Sequence, residues 1–240
     1  MVITDRQKDI LKAIVRSYSK STQPVGSQAL YKEFNFGIGP AMIRQDMAAL
    51  EKEGFIHQPH TSAGRVPTDK AYRLYISELE KKETNLSAHE QRKISAELGS
   101  AHKAPHELLR ELAHVIAELS GEFSVSGLEG KDVHYTHGFA RLVRNPQLHN
   151  VEQVKNLMQF MDEMDGYFDR LLQGSLNSSL RVFIGKENPV KEFRSFSMVT
   201  GRYKLPHGQA GFVSIIGPKH MNYQKNVALI RYVRGVLNNG

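Results

Sequence analysis

The run QPHTSAGRVPTDKAYR at residues 58–73 sets two hydroxyls, a glycine and a guanidinium close together in Thr61, Ser62, Gly64 and Arg65. Hydroxyl donors, an unhindered backbone and an arginine are what a loop needs to contact phosphate oxygens or enter a narrow minor groove. Just upstream, PAMIRQDMAALEK has apolar residues at Ile43, Met47 and Leu50. At about 100° per residue these share one face of a helix, which turns Ala41, Gln45, Ala48 and Lys52 outward, flanked by Met42 and Arg44. Small alanines allow a close approach. Gln45 matches the N6 and N7 edge of adenine, Met42 a thymine methyl, Arg44 a guanine or a phosphate, and Lys52 a phosphate farther along. Together the two segments predict a helix that reads bases beside a loop that grips the backbone.

Other arrangements in the chain fall short of chemistry. His57 and His60 flank Gln58 and Pro59, and His134 and His137 have H-x-x-H spacing, but neither pair has a third ligand nearby in sequence. GLEGK at residues 127–131 lacks phosphate-loop glycine spacing and has no Ser or Thr after its lysine. No G-x-S-x-G elbow occurs, and Glu187 in GKEN is a lone acid beside a turn, without the second group that general acid work needs. The 240 residues include no cysteine, which excludes disulfides, thiolate catalysis and cysteine-ligated zinc and suits a reducing cytoplasm. No enzyme activity, metal or cofactor is expected. A net charge of +7 suits a polyanion, but the surplus is spread along the chain, so any footprint depends on placement. The N-terminus has no apolar leader, and no window approaches the length of a membrane span.

The candidate residues need a scaffold. Thr4 and Gln7 have capping-box spacing, and Ile10, Leu11, Ile14 and Val15 form one stripe, predicting a first helix over residues 5–19. STQPVGSQALYKEF predicts a turn, a Ser27 cap and a second helix carrying Leu30, Tyr31 and Phe34. Pro40 opens the third helix and Gly54 closes it. Phe55-Ile56 and Arg65-Val66 read as the sides of a short hairpin, and Thr68 as the cap of a fourth helix. Three helices and then a hairpin is the order of a winged helix-turn-helix, whose third helix enters the major groove.

The charged run ELEKKETN marks a boundary, giving a winged-helix domain at 1–84 and a second part at 85–240. In the second part HELLRELAHVIAELSG and MNYQKNVALIRYVRGVL read as amphipathic helices. Their stripes Leu109, Leu112, Ile116, Leu119 and Val227, Ile230, Val233, Leu237 are candidate dimer seams, or else intradomain core. Residues 122–138 are weakly patterned, whereas LRVFIG, FRSFSMVTGRY and QAGFVSIIG read as three strands. Phe183, Phe193, Phe196, Tyr203 and Phe212 are sheet core or, in a second functional reading, the lining of a small-molecule sensor pocket.

With these motifs placed, GPAMIRQDMAALEKEGFIHQPHTSAGRVPTDKAYR closely resembles the HrcA family of bacterial heat-inducible transcription repressors, and Pro59 to Thr68 follow the family pattern throughout. QPVGSQAL earlier, and GKEN, FSMVTGRY and GFVSIIGPKHMNY later, extend the resemblance to the family's GAF-like domain. It implies an α+β protein with an N-terminal winged helix-turn-helix domain, a helical connector and a truncated GAF-like α/β domain. It further implies a repressor of chaperone operons that binds double-stranded DNA at an inverted-repeat operator, with the chaperonin GroEL as the partner that keeps it active. Because one winged helix reads one half-site, a homodimer is expected. Two departures stand out. Gly39, Met42 and Gln45 occupy positions where the family usually has Ser, Thr and Asn, so three candidate reading positions differ together. Only twelve residues separate ELSGEFSV from GFARLVRNPQL, where longer members carry early sheet strands and an inserted dimerising domain. Early strands and insert are therefore expected to be missing.

Overall fold

The computed structural model describes residues 3–80, 85–99, 104–131, 133–144, 151–162, 164, 168, 180–188, 194–205 and 208–239. The chain divides into two compact units, Met1–Glu83 and Thr84–Gly240.

In the first unit Thr4 and Gln7 make the capping box their spacing predicts, each side chain accepting from the other's backbone N–H. The helix they open, α1 (Asp5–Ser21), buries Ile10, Leu11, Ile14 and Val15. Leu30 of α2 (Ser27–Glu33) and Ile43, Met47 and Leu50 of α3 (Pro40–Lys52) complete this nucleus. Burial of such side chains is worth about 1.5–3 kcal/mol each, and packing of this kind, more than propensity, holds a helix as short as α2. Two short strands, β1 (Ile56–His57) and β2 (Val66–Pro67), pair antiparallel, and α4 (Asp69–Glu80) follows. One expected cap is otherwise employed: Ser27 lies buried inside α2, with Gly26 at the cap and no side-chain bond there. Thr68 directly precedes α4, its carbonyl accepting from the N–H groups of Ala71 and Tyr72 at 3.0 and 3.2 Å, while its hydroxyl lies 2.8 and 3.0 Å from the carbonyls of Gly54 and Phe55 and ties the base of the hairpin to the end of α3.

The second unit comprises α5 (Ala88–Leu98), α6 (Pro105–Ser120), β3 (Phe123–Leu128), β4 (His134–His137), α7 (Phe139–Val143), α8 (Val151–Asp162), β5 (Leu180–Ile184), β6 (Phe196–Lys204), β7 (Ala210–Pro218) and α9 (Tyr223–Asn239). Its sheet is antiparallel, with five strands in the order β4-β3-β7-β6-β5. The weakly patterned stretch 122–138 thus supplies two strands, so early sheet strands are present. The alternation failed because β3 is buried on both faces, with Ser124 and Ser126 as fully enclosed as Phe123 and Val125. On one face Phe123, Val125, Phe196, Met198, Phe212 and Ile216 pack with Leu142, Leu157 and Phe160. Phe183 joins that cluster, Tyr203 is buried on the other face, and Phe193 lies outside the described residues. Helices α6 and α9 cover the second face. Leu109, Leu112, Ile116, Val227, Ile230 and Val233 are all 0% exposed. Both proposed dimer seams are therefore core of this unit.

Gly201 shows how closely α9 lies on the sheet: a Cβ there would sit 2.3 Å from Ile230 Cγ2. Gly201→Val is expected to lower stability by about 1–3 kcal/mol through overpacking, read as a lower melting temperature. Asn226 of α9 is fully enclosed, and neither its amide oxygen nor its nitrogen has a hydrogen-bond partner.

The Glu122 carboxylate is pressed against the sheet backbone, where a Cβ on Gly217 would lie 2.6 Å from Oε2. Burial pushes its carboxyl up from 4.5 to about 8, against a smaller opposing pull from Arg141. The folded state therefore holds a proton that the unfolded state has released between those two values. The stability this contributes is complete below the unfolded pKa and is lost as the pH rises through about 8. Glu122→Gln should flatten that fall, visible as a melting temperature above wild type at alkaline pH.

Candidate nucleic-acid interface

The outward face of α3 is set by what its opposite face buries. Ile43, Met47 and Leu50 point into the nucleus, and Ala41, Met42, Arg44, Gln45, Ala48 and Lys52 are exposed. Gly39 caps the helix with its carbonyl, accepting from the N–H groups of Met42 and Ile43, and Pro40 occupies the first turn, where its missing N–H costs nothing. Met42 is 40% exposed.

Asp46 is a residue the apolar stripe gives no reason to notice. It is 5% exposed, and its carboxylate accepts from Arg6 Nε at 2.7 Å, Arg6 Nη2 at 3.3 Å and Gln7 Nε2 at 3.3 Å. A carboxylate out of water needs such partners, so the clamp fixes the rotation of α3 against the first turn of α1. The available signal was positional: Asp46 is three residues from Ile43 and adjacent to Met47, inside the inward arc.

The hairpin loop is held from three sides. Val25 and Arg65 exchange backbone hydrogen bonds at 2.9 and 2.8 Å, adding a strand position from the α1–α2 turn. Gln58 Nε2 donates to the carbonyls of Thr61 and Ala63 at 2.9 and 2.8 Å, folding the tip back on itself. Arg65 Nε and Nη2 meet Glu51 Oε2 of α3 at 3.0 and 2.9 Å, so the guanidinium joins the loop to α3. Thr61 and Ser62 stand exposed at the tip. Gly64 is less open than its type suggests, since a Cβ there would lie 2.5 Å from the carbonyl carbon of Val25. Between loop and helix lies a cleft of about 340 Å³, with Gly26, Gln28, Arg44, Met47, Gln58 and Arg65 among its walls.

His134 and His137 stand three apart on β4, which sends them to opposite sides of the strand.

A three-helix unit with a hairpin joined to its third helix, and a cleft between them, defines a winged helix-turn-helix, a fold of DNA-binding proteins. Residues 2–81 match the family described as the winged helix-turn-helix transcription repressor HrcA DNA-binding domain, and residues 68–227 match the HrcA protein C-terminal domain. The chain belongs to the HrcA family of heat-inducible transcription repressors. It is 26% identical to the heat-inducible transcription repressor HrcA of Alkaliphilus metalliredigens (strain QYMF) over 337 aligned positions, covering 99% of this chain and 98% of the relative. That alignment is longer than the 240 residues present here, so the relative carries stretches with no counterpart in this chain. With the namesake from Frankia casuarinae it shares 43% identity over 124 residues, 52% of this chain and 36% of that one. A crystal structure of a hypothetical protein superposes with a TM-score of 0.82 at 21% identity, covering 99% of this chain and 98% of that one, which shows the fold. With that fold the class is α+β, a winged helix followed by a GAF-like α/β domain. No helix among the described residues is long and apolar enough to cross a membrane.

Proposed function

We propose that this protein represses heat-shock and chaperone genes in the cytoplasm by seating α3 in the major groove of an inverted-repeat operator and laying the hairpin on the adjoining backbone. The observation that carries the reading is the cleft flanked by an exposed base-reading row on one side and exposed hydroxyls on the other. In this reading Ala41 permits close approach, while Gln45 and Met42 read an adenine edge and a thymine methyl. Arg44, on the cleft wall, and Lys52, farther along, take phosphates, joined by Thr61, Ser62 and the backbone at Gly64. Arg65 serves twice, because its five N–H donors allow it to hold Glu51 and still meet a phosphate oxygen. Two copies cover the two half-sites, and GroEL, as the family resemblance implies, keeps the repressor active.

Selection of bound fragments from random DNA, followed by sedimentation with the selected duplex, tests this. The expected result is a two-fold symmetric consensus with two chains per duplex. A fragment pool without sequence preference, or one chain per best site, would refute it. On the selected operator Gln45→Ala should cost about 1–3 kcal/mol and relax one base position. Base preferences unchanged in that variant would mean that Gln45 does not face the bases.

A further inference from the structure

Away from the winged helix, the sheet unit brings together two histidines that are far apart in sequence. His114 Nδ1, on α6, and His137 Nε2, on β4, are 3.4 Å apart, with the rings perpendicular at 88° and their centroids 4.5 Å apart. Both side chains are exposed, so a hydrated ion can reach them. Two imidazole nitrogens on one tetrahedral zinc, at bonds of about 2.0–2.1 Å, stand roughly 3.4 Å apart, the edge of the tetrahedron. The spacing therefore suits a shared ion as well as a hydrogen bond. Its parts are fixed: α6 packs along β3 and β4, and β4 pairs with β3 through Ser124 to Gly127. Glu118 follows His114 by one helical turn and supplies negative charge, its carboxylate held by Arg141 at 2.5 Å.

We propose that His114 and His137 form a two-imidazole site for a borderline transition-metal dication, zinc or copper(II), completed by water. Among the described residues there is no cluster of three or more metal-ligating side chains, so the protein supplies two ligands and the site is an open one. An ion here crosslinks α6 to β4, an outer strand of the sheet, and binds the folded state alone, which makes the stability of this unit depend on metal concentration. Neighbouring charges bear on pH dependence: Glu118 favours a cation and Arg141 opposes it. Both imidazoles must be neutral to bind, so the ion competes with protons for the same nitrogens.

The test uses the full chain without a histidine tag, stripped with chelator and titrated calorimetrically with zinc chloride at neutral pH. One ion per chain is expected, with affinity at least tenfold lower in both His137→Ala and His137→Gln and in His114→Ala, and unchanged in His134→Ala and His57→Ala. Copper(II) should bind more tightly than zinc, and its electron spin echo spectrum should count two imidazoles. Zinc should raise the melting temperature of the wild type and not of His137→Gln. Binding of equal strength in wild type and the His137 variants, a spectrum with one imidazole, or no zinc binding at all would each overturn the site and leave the pair as a hydrogen bond. DNA binding plays no part in these readouts.

Discussion

Gly64→Ala is expected to weaken operator binding by roughly a hundredfold or more while the sheet unit melts as before. The added Cβ would meet the carbonyl carbon of Val25 at 2.5 Å, its oxygen at 2.6 Å and the carbonyl carbon of Pro24 at 2.7 Å. All three are backbone atoms, so no rotamer change relieves the contact and the loop itself must move. Overpacking of this kind costs about 1–3 kcal/mol, and each of the two Val25–Arg65 hydrogen bonds that would be stretched is worth about 1 kcal/mol. The loop that moves carries Thr61 and Ser62 with it and pulls Arg65 from Glu51. Since every 1.4 kcal/mol is tenfold in affinity, a loss of about 3 kcal/mol gives the expected drop. Fluorescence anisotropy on the selected duplex measures it. Full affinity in Gly64→Ala would show that the hairpin contributes nothing to binding.

The second large effect is a gain. Asn226→Leu should stabilise the sheet unit by about 1–3 kcal/mol, because a buried amide without partners pays its desolvation with no return, whereas leucine, branched at the same carbon, has no polar atom to desolvate and adds apolar contact. For a chain of this size that is a rise of roughly 2–4 °C in melting temperature per kcal/mol. If unfolding of this unit ends repression, the temperature of induction in cells should rise with it. A melting temperature equal to or below wild type in Asn226→Leu would show that the amide is satisfied in solution. A higher melting point with an unshifted induction temperature would place heat sensing elsewhere.

The winged helix was legible because its information is local. Thr4 and Gln7 announce α1, Pro40 announces α3, and the inward Ile43, Met47 and Leu50 turn the remaining residues of α3 outward whatever the rest of the chain does. Contacts that join distant segments were not legible. Asp46 reaching Arg6 and Gln7, Arg65 reaching Glu51 and Gly64 lying on Val25 are products of tertiary approach. The second unit was harder for a different reason. A strand buried on both sides loses its two-residue period, so the serines of β3 masked a strand that its neighbours make plain. The helix stripes of α6 and α9 were correctly seen as apolar, but periodicity cannot say whether a stripe faces a sheet or a second chain, and here both face the sheet.

The clamp between α1 and α3 also bears on how this protein is handled and re-engineered. Arg6 and Gln7 lie in the first turn of the first helix, and α3 takes its rotation from them. A fusion partner or purification tag joined ahead of that turn, if it frays those residues, alters operator choice without touching a base-reading side chain. Attachment after α9 leaves the register alone. The same link offers a handle for design: paired substitutions at positions 6 and 46 would rotate α3 as a body, re-aiming Met42 and Gln45 together, and in the proposed binding mode would change specificity from outside the base-reading row.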